Sequence, residues 1–243
     1  MPLHFLLDEP SHALPGDEVV LTGAEAHHAA TVRRVRVGEE VTVGDGAGTW
    51  LAGECITVTP REVIVRVTSR NERPAPVPRV TLVQALAKGD RDELAIQAAT
   101  ELGVDVIVPW QASRSVSRWD AAKAEKGRAR WATIVREAAK QAHRPWLPSV
   151  EAVQTTKQLL ARVQSSRVLI LEPRAQTALS GLDLSDSSDI VLVVGPEGGI
   201  ADEELSQFET SGATLVRLGE TVLRTSTAGP AALAVISATL GRW

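Results

Sequence analysis

The chain has 243 residues, 44% hydrophobic and 23% charged, a composition that sustains a packed core and excludes disorder throughout. A single cysteine, Cys55, excludes an intramolecular disulfide and any multi-cysteine zinc or iron–sulfur centre. No apolar run approaches the ~18 residues that span a bilayer, and Met1–Phe5 has no basic stretch leading into a signal core, so a cytoplasmic protein is expected.

The formal net charge of −4 hides a pattern. Residues 1–72 carry 6 Lys/Arg against 11 Asp/Glu, residues 73–150 carry 13 against 8, and residues 151–243 carry 7 against 11. The positive excess lies between Arg114 and Arg144, where Arg118, Lys123, Lys126, Arg128, Arg130, Arg136 and Lys140 face only Asp120, Glu125 and Glu137. Such a patch suits a phosphate backbone; a solvated helix face is the plainer alternative.

Residues 1–72 read as β structure. Val41 and Val43, and again Val63, Val65 and Val67, alternate with polar neighbours as half-buried strands do. Gly44-Asp45-Gly46-Ala47-Gly48 between strand-like runs predicts a hairpin turn. Three prolines within Arg73–Pro78 predict a stiff linker and a domain boundary, leaving 79–243 as the second domain.

Beyond the linker the pattern becomes α/β. Val80–Leu86 predicts a strand and Asp90–Leu102 a helix with Leu94, Ala98 and Leu102 on its buried stripe, capped by Asp90 or Asp92 and ended by Gly103. Val104–Val108 predicts a second strand ended by Pro109, which completes a βαβ unit and implies a largely parallel sheet. A long basic helix follows over about 120–142, with Trp131, Ile134, Val135 and Ala138 inward. Three short apolar runs, Val168–Leu171, Ile190–Val194 and Thr214–Leu218, read as buried parallel strands, and an Ala-rich helix over about 227–240 closes the chain.

Each of those three strands ends in a distinctive loop: Leu171-Glu172-Pro173-Arg174, Gly195-Pro196-Glu197-Gly198-Gly199, and Leu218-Gly219 running on to Leu223-Arg224-Thr225. Ligands bind at the carboxyl ends of strands in open α/β sheets, so the loops predict one pocket. The glycine loop lacks the lysine of phosphate loops and carries Glu197, with Asp202, Glu203 and Glu204 close behind. A neutral or cationic ligand held by backbone groups fits better than a triphosphate; a tight turn without a ligand is the alternative. Arg224 precedes a hydroxyl-rich helix start, where Thr225, Ser226 or Thr227 is available as N-cap. No HxxxH pair occurs among His4, His12, His27, His28 and His143, so no metal is expected. Cys55 falls in a predicted strand, as a small buried hydrophobe does.

Taken together, Val193–Ile200, Leu218-Gly219 and Leu223-Arg224-Thr225 resemble the cofactor site of the SPOUT methyltransferases. More narrowly, the chain is similar to the RsmE family, the bacterial 16S ribosomal RNA uridine-N3 methyltransferases. Further matching stretches are Lys88–Arg91, Ile96–Val104 and Glu137–Gln141 with Arg144 and Pro148; His28, Val32, Arg34, Gly38 and Asp45-Gly46 match more loosely. Where relatives often carry an arginine and a glutamate around the last motif, this chain has Thr221 and Ser226, and His4 stands where an arginine is expected before Phe5.

The resemblance implies an N-terminal PUA-like β-barrel followed by a SPOUT α/β domain with a C-terminal trefoil knot. It implies a homodimer that methylates N3 of one uridine on the assembled small subunit, using S-adenosylmethionine. The cofactor would be held by Leu171, Glu172, Gly195, Pro196, Glu197, Gly198, Gly199, Leu218, Gly219, Leu223, Arg224 and Thr225. Arg224 would stabilise the uracilate oxygens, and Glu197 would orient the site or take the N3 proton through water. RNA would be met by His28, Arg34, Arg114, Arg118, Lys123, Lys126, Arg130 and Arg144, with base stacking left to tryptophan or arginine because the chain has no tyrosine. Two alternatives remain: a non-catalytic RNA-binding or ribosome-assembly protein, and a SPOUT methyltransferase acting on tRNA or a ribose 2′-hydroxyl.

Overall fold

The computed structural model describes residues 2–185 and 188–243. The chain divides into two compact units, Met1–Ala75 with Ala139–Leu147, and Pro76–Ala138 with Pro148–Trp243.

The first unit is built on a five-stranded sheet. Its elements are β1 (Leu3–Leu6), β2 (Glu18–Thr22), α1 (Gly23–His27) running into a π-helical turn at His28–Val32, β3 (Glu40–Gly44), β4 (Thr49–Val58) and β5 (Glu62–Glu72). The strand order is β1-β3-β4-β5-β2, with β1 parallel to β3 and the other pairs antiparallel. The predicted alternation holds: Val41, Val43, Val63, Val65 and Val67 all enter the core beside Phe5, Leu21 and Leu51. The hairpin forms where the glycines predict it. Gly46 and Gly48 take φ of 68° and 102°, and Asp45 closes the turn by accepting the N–H groups of Ala47 and Thr49 at 2.8 and 3.1 Å. Cys55 lies in β4 and is fully buried, which pushes its thiol up to about 11.

His4 of β1 stacks on Trp50 at 4.1 Å between ring centroids, with His143 at 5.5 Å. Burial, then the nearby His143 and Lys140, lower its pKa to about 3. The unfolded chain therefore takes up a proton near pH 6.5 that the folded state refuses, so stability rises with pH between about 3 and 6.5. Between pH 7 and pH 5 this one group is expected to remove about 2 kcal/mol from the stability of the first unit. His4→Phe keeps the stack and does not titrate. Urea unfolding at the two pH values should show that share of the loss in the wild type and not in the variant.

The second unit is α/β. Its elements are β6 (Val80–Ala85), α2 (Arg91–Glu101), β7 (Val106–Gln111), α3 (Ala121–Gln141, whose last residues join the first unit), β8 (Ser149–Val150), β9 (Gln154–Thr155), α4 (Thr156–Leu160), β10 (Arg167–Leu171), β11 (Ile190–Val194), α5 (Asp202–Thr210), β12 (Thr214–Val216) and α6 (Thr225–Thr239). The sheet is parallel in the order β12-β10-β11-β6-β7-β8, with β9 also on β7. All residues of β6 and β11 are buried, as strands covered on both faces are. Among the described residues no helix is long and apolar enough to cross a membrane.

Three local expectations change. Strand β7 runs through Pro109 to Gln111 instead of stopping at the proline. Its edge partners are two separate pieces, β8 opposite Val106–Ile107 and β9 opposite Trp110–Gln111, and the proline's missing N–H falls in the break between them. In α2 the buried residues are Asp92, Ala95, Ile96, Ala99 and Thr100, whereas Leu94 is 51% exposed. Lys140 is not part of a solvated basic face: it is buried in the first unit, its Nζ 2.7 Å from Oε1 of the equally buried Glu25.

Candidate active site

The order of the sheet sets β10, β11 and β12 side by side or one strand apart, so the loops leaving their carboxyl ends converge. They enclose a cavity of about 430 Å³ in the second unit. Leu171 and Glu172 come from the first loop, Gly195, Pro196, Glu197 and Gly199 from the second, and Leu218, Gly219, Leu223, Arg224 and Thr225 from the third. Of the predicted cofactor residues only Gly198 stands off the wall; it faces the side chain of Arg114, whose Nη1 donates to the carbonyls of Gly198 and Ile200 at 3.3 and 3.4 Å.

The glycine loop is shaped by close approach. A Cβ on Gly195 would sit 2.6 Å from Cγ1 of Ile200, inside van der Waals contact, so no larger residue fits without moving the loop. Gly199 takes φ of 71° and donates its N–H to the Pro196 carbonyl at 2.9 Å, which closes the turn. Thr225 does not cap α6 through its side chain, contrary to expectation. The N-cap position is Arg224, and Thr225 Oγ1 instead donates to the Gly195 carbonyl at 2.8 Å.

Two carboxylates border the cavity. Glu172 is buried and accepts from the N–H and Nε of Arg174 at 3.1 and 2.7 Å. Glu197 accepts from the Lys88 N–H and from Arg91 Nη1, each at 3.0 Å. Partial burial acts to raise the pKa of Glu197, but hydrogen bonds from backbone N–H groups and the Arg91 guanidinium outweigh it and hold the carboxyl below its ordinary range. Arg224, by contrast, is exposed at the rim, and its guanidinium has no hydrogen bond or ion pair among the described residues.

Sequence reading missed Arg91 as a wall residue. The signal was available, since Lys88–Arg91 leaves the carboxyl end of β6, the strand paired with β11. Behind the pocket Glu204 gathers Ser113 N–H and Oγ and Thr156 Oγ1 at 3.0, 2.9 and 2.5 Å, tying α5 to the end of β7 and the start of α4.

The predicted RNA residues fall into both units. In the first, Arg34 is exposed at φ of 56°, His28 packs edge-on to Phe5, and Arg144 is half-buried. In the second, Lys123 is exposed 3.5 Å from Asp120, Lys126 is exposed with no partner among the described residues, Arg118 donates to the Ser113 carbonyl, and Arg130 is paired with Glu93. Trp110 and Trp131 are core residues, and Trp119 packs against Trp131 at 5.4 Å.

Residues 73–237 match the family model described as an RNA methyltransferase domain, and residues 21–68 match one described as an RNA methyltransferase PUA domain. A three-loop pocket on a parallel sheet, within a segment matching that model, is the make-up of an RNA methyltransferase domain. The ribosomal RNA small subunit methyltransferase E of Mycobacterium tuberculosis is 44% identical over 94% of this chain and 89% of its own length. The protein of the same name in Bacillus subtilis is 34% identical over 89% of this chain and 88% of its own. A crystal structure of the Neisseria gonorrhoeae ribosomal RNA small subunit methyltransferase E bound to S-adenosyl methionine superposes with a TM-score of 0.88, at 30% identity and 98% coverage of both chains. The chain belongs to this family, the ribosomal RNA small subunit methyltransferases E.

Proposed function

We propose that the protein transfers a methyl group from S-adenosylmethionine to N3 of a uridine in 16S ribosomal RNA, acting on the assembled small subunit. The observation that carries this reading is the convergence of the three loops on one cavity in a chain of this family. The cavity suits the cofactor: about 430 Å³ is within the range of small-ligand sites, and its wall combines apolar Leu171, Val216 and Leu218 with glycine-loop backbone, the carboxylates Glu172 and Glu197, and the arginines Arg91, Arg217 and Arg224. Leu171, Glu172, Gly195, Pro196, Glu197, Gly198, Gly199, Leu218, Gly219, Leu223, Arg224 and Thr225 form the binding set of this reading. S-adenosylmethionine supplies an electrophilic methyl group when bound.

Transfer needs a nucleophilic lone pair at uracil N3, which carries a proton at neutral pH. Arg224, a rim cation without a partner among the described residues, stabilises the negative charge left on the uracil oxygens as that proton passes to solvent water. Glu197 orients the site: a carboxylate already accepting from Lys88 and Arg91, with its pKa held low, is a poor proton acceptor. His28, Arg34, Arg114, Arg118, Lys123, Lys126, Arg130 and Arg144 make up the RNA-facing set, with Lys126 and Arg34 the cations unengaged among the described residues.

The same reading takes residues 1–72 as a PUA-like β-barrel, 73–78 as the linker and 79–243 as the SPOUT domain, of which the segment Ala139–Leu147 joins the first unit, with the chain through β10–β12 and α6 forming the trefoil knot. The bond from Thr225 back to Gly195, 30 residues earlier, supports that path. It also takes the protein as a cytoplasmic homodimer. Calorimetric titration tests the site. S-adenosylmethionine and S-adenosylhomocysteine are expected to bind and ATP is not, whereas binding of ATP alone would refute the assignment of the pocket.

A further inference from the structure

Gln84 stands in β6, in register with Val194 of β11 and Pro109 of β7. Its side chain is fully buried. Nε2 donates to Thr225 Oγ1 at 2.9 Å and to the Ala85 carbonyl at 3.3 Å, and Thr225 Oγ1 donates onward to the Gly195 carbonyl at 2.8 Å. A threonine hydroxyl carries one proton. With that proton committed to a carbonyl, which can only accept, Thr225 must receive its other bond. Gln84 therefore has to present its amide NH2, and the polarity of the whole relay is fixed by chemistry. The consequence is visible on the other side of the amide: Oε1 of Gln84 is buried with no hydrogen-bond donor among the described residues. A buried acceptor left unpaired carries a desolvation penalty that an apolar residue at this place would avoid.

Both ends of the relay matter to the pocket. Gly195 opens the glycine loop, and Thr225 is the first residue of α6, directly after Arg224; all three line the cavity. We infer that Gln84 is a positioning residue of the methyl-transfer site, acting through Thr225 to hold the Gly195 carbonyl and the start of α6 at one spacing. Its orphaned oxygen is the cost of donating in the right direction. The inference rests on the methyltransferase reading for its effect on cofactor, and on the hydrogen bonds alone for its effect on the loop.

The test is a double-mutant cycle on the full chain, read by calorimetric titration with S-adenosylmethionine and by amide hydrogen exchange without ligand. Gln84→Leu is expected to weaken binding about tenfold, which corresponds to about 1.4 kcal/mol, and Thr225→Val by a similar factor. The double variant should bind no more weakly than Thr225→Val alone, because the two residues act in series. Thr225→Ser should recover most of the Thr225→Val loss. Gln84→Glu, of the same size, cannot donate while ionised and can when protonated, so its affinity should rise as pH falls in a way the wild type's does not. In the ligand-free protein, the Gly199 amide should exchange faster in Gln84→Leu while that of Leu192 in the core of β11 does not change. Additive losses in the cycle, or wild-type affinity and wild-type Gly199 exchange in Gln84→Leu, would overturn the relay. A wild-type protein that fails to bind S-adenosylmethionine would count against the methyltransferase reading, and the exchange rates would then decide the relay by themselves.

Discussion

Arg224→Ala is expected to lower the methylation rate by about 10²–10³-fold, equivalent to roughly 2.7–4 kcal/mol of transition-state stabilisation. The size follows from what surrounds the guanidinium. It sits at the pocket rim with no acidic partner among the described residues, so its charge is available to a uracilate oxygen and is not spent on an internal ion pair. Of the other two arginines on the pocket wall, Arg217 lies 3.7 Å from Glu220 and Arg91 is engaged with Glu197 at 3.0 Å; Arg91→Ala is expected to act on loop geometry with a smaller effect on rate. Because Arg224 is exposed, its removal should leave the melting temperature within experimental scatter, and the loss should fall mainly on kcat, with a smaller rise in the KM for S-adenosylmethionine from its place in the binding set. Single-turnover kinetics on small subunits would check this. A rate within threefold of wild type would reduce Arg224 to a residue of the helix start.

The largest effect on stability is expected at Glu25. Glu25 and Lys140 are both more than nine-tenths buried, and their charged atoms are 2.7 Å apart. Removing two charges from water is costly, and a close pair largely offsets that cost; removing one partner leaves the other charged in an apolar setting. Glu25→Ala is therefore expected to destabilise the first unit by about 3–5 kcal/mol. The pair joins α1 to the segment Ala139–Leu147, which other bonds also fasten within this unit: Gly48 donates its N–H to the Pro145 carbonyl at 3.0 Å, and Trp146 Nε1 donates to the Arg73 carbonyl at 2.8 Å. Replacing both charges, as in Glu25→Leu/Lys140→Met, should recover most of the loss, since a well-filled apolar pair is often as stable as a buried ion pair. Urea denaturation of the two variants against wild type measures both figures. A double variant as unstable as Glu25→Ala would mean that packing, not charge, holds the segment.

Lys140 also shows where reading the sequence stopped. Its place in a run of lysines and arginines argued for solvent or RNA, because nothing local reveals a carboxylate 115 positions earlier. The α2 stripe failed for a different reason. The period of 3.6 residues was legible, but weighting leucine over alanine chose Leu94, Ala98 and Leu102, whereas close packing of α2 on α6 selected the small Ala95 and Ala99 beside Ile96. Period-2 alternation named Val41, Val43, Val63, Val65 and Val67 correctly, since one face of a sheet is either buried or not. The three pocket loops were legible because glycine, proline and a lone arginine at strand ends have few uses besides ligand binding or turns. Thr225 was legible as a hydroxyl near a helix start, but its bond to Gly195 depends on which strand lies beside which, and that is set by long-range topology.

Incubation of the protein with S-adenosylmethionine and small ribosomal subunits lacking the modification, followed by nucleoside mass spectrometry of the RNA, tests the central claim most directly. One 3-methyluridine per subunit, formed on assembled subunits and not on bare 16S RNA, is the expected result. Methylation of a ribose hydroxyl or of tRNA instead, or tight cofactor binding with no methyl group delivered to the subunit, would contradict it.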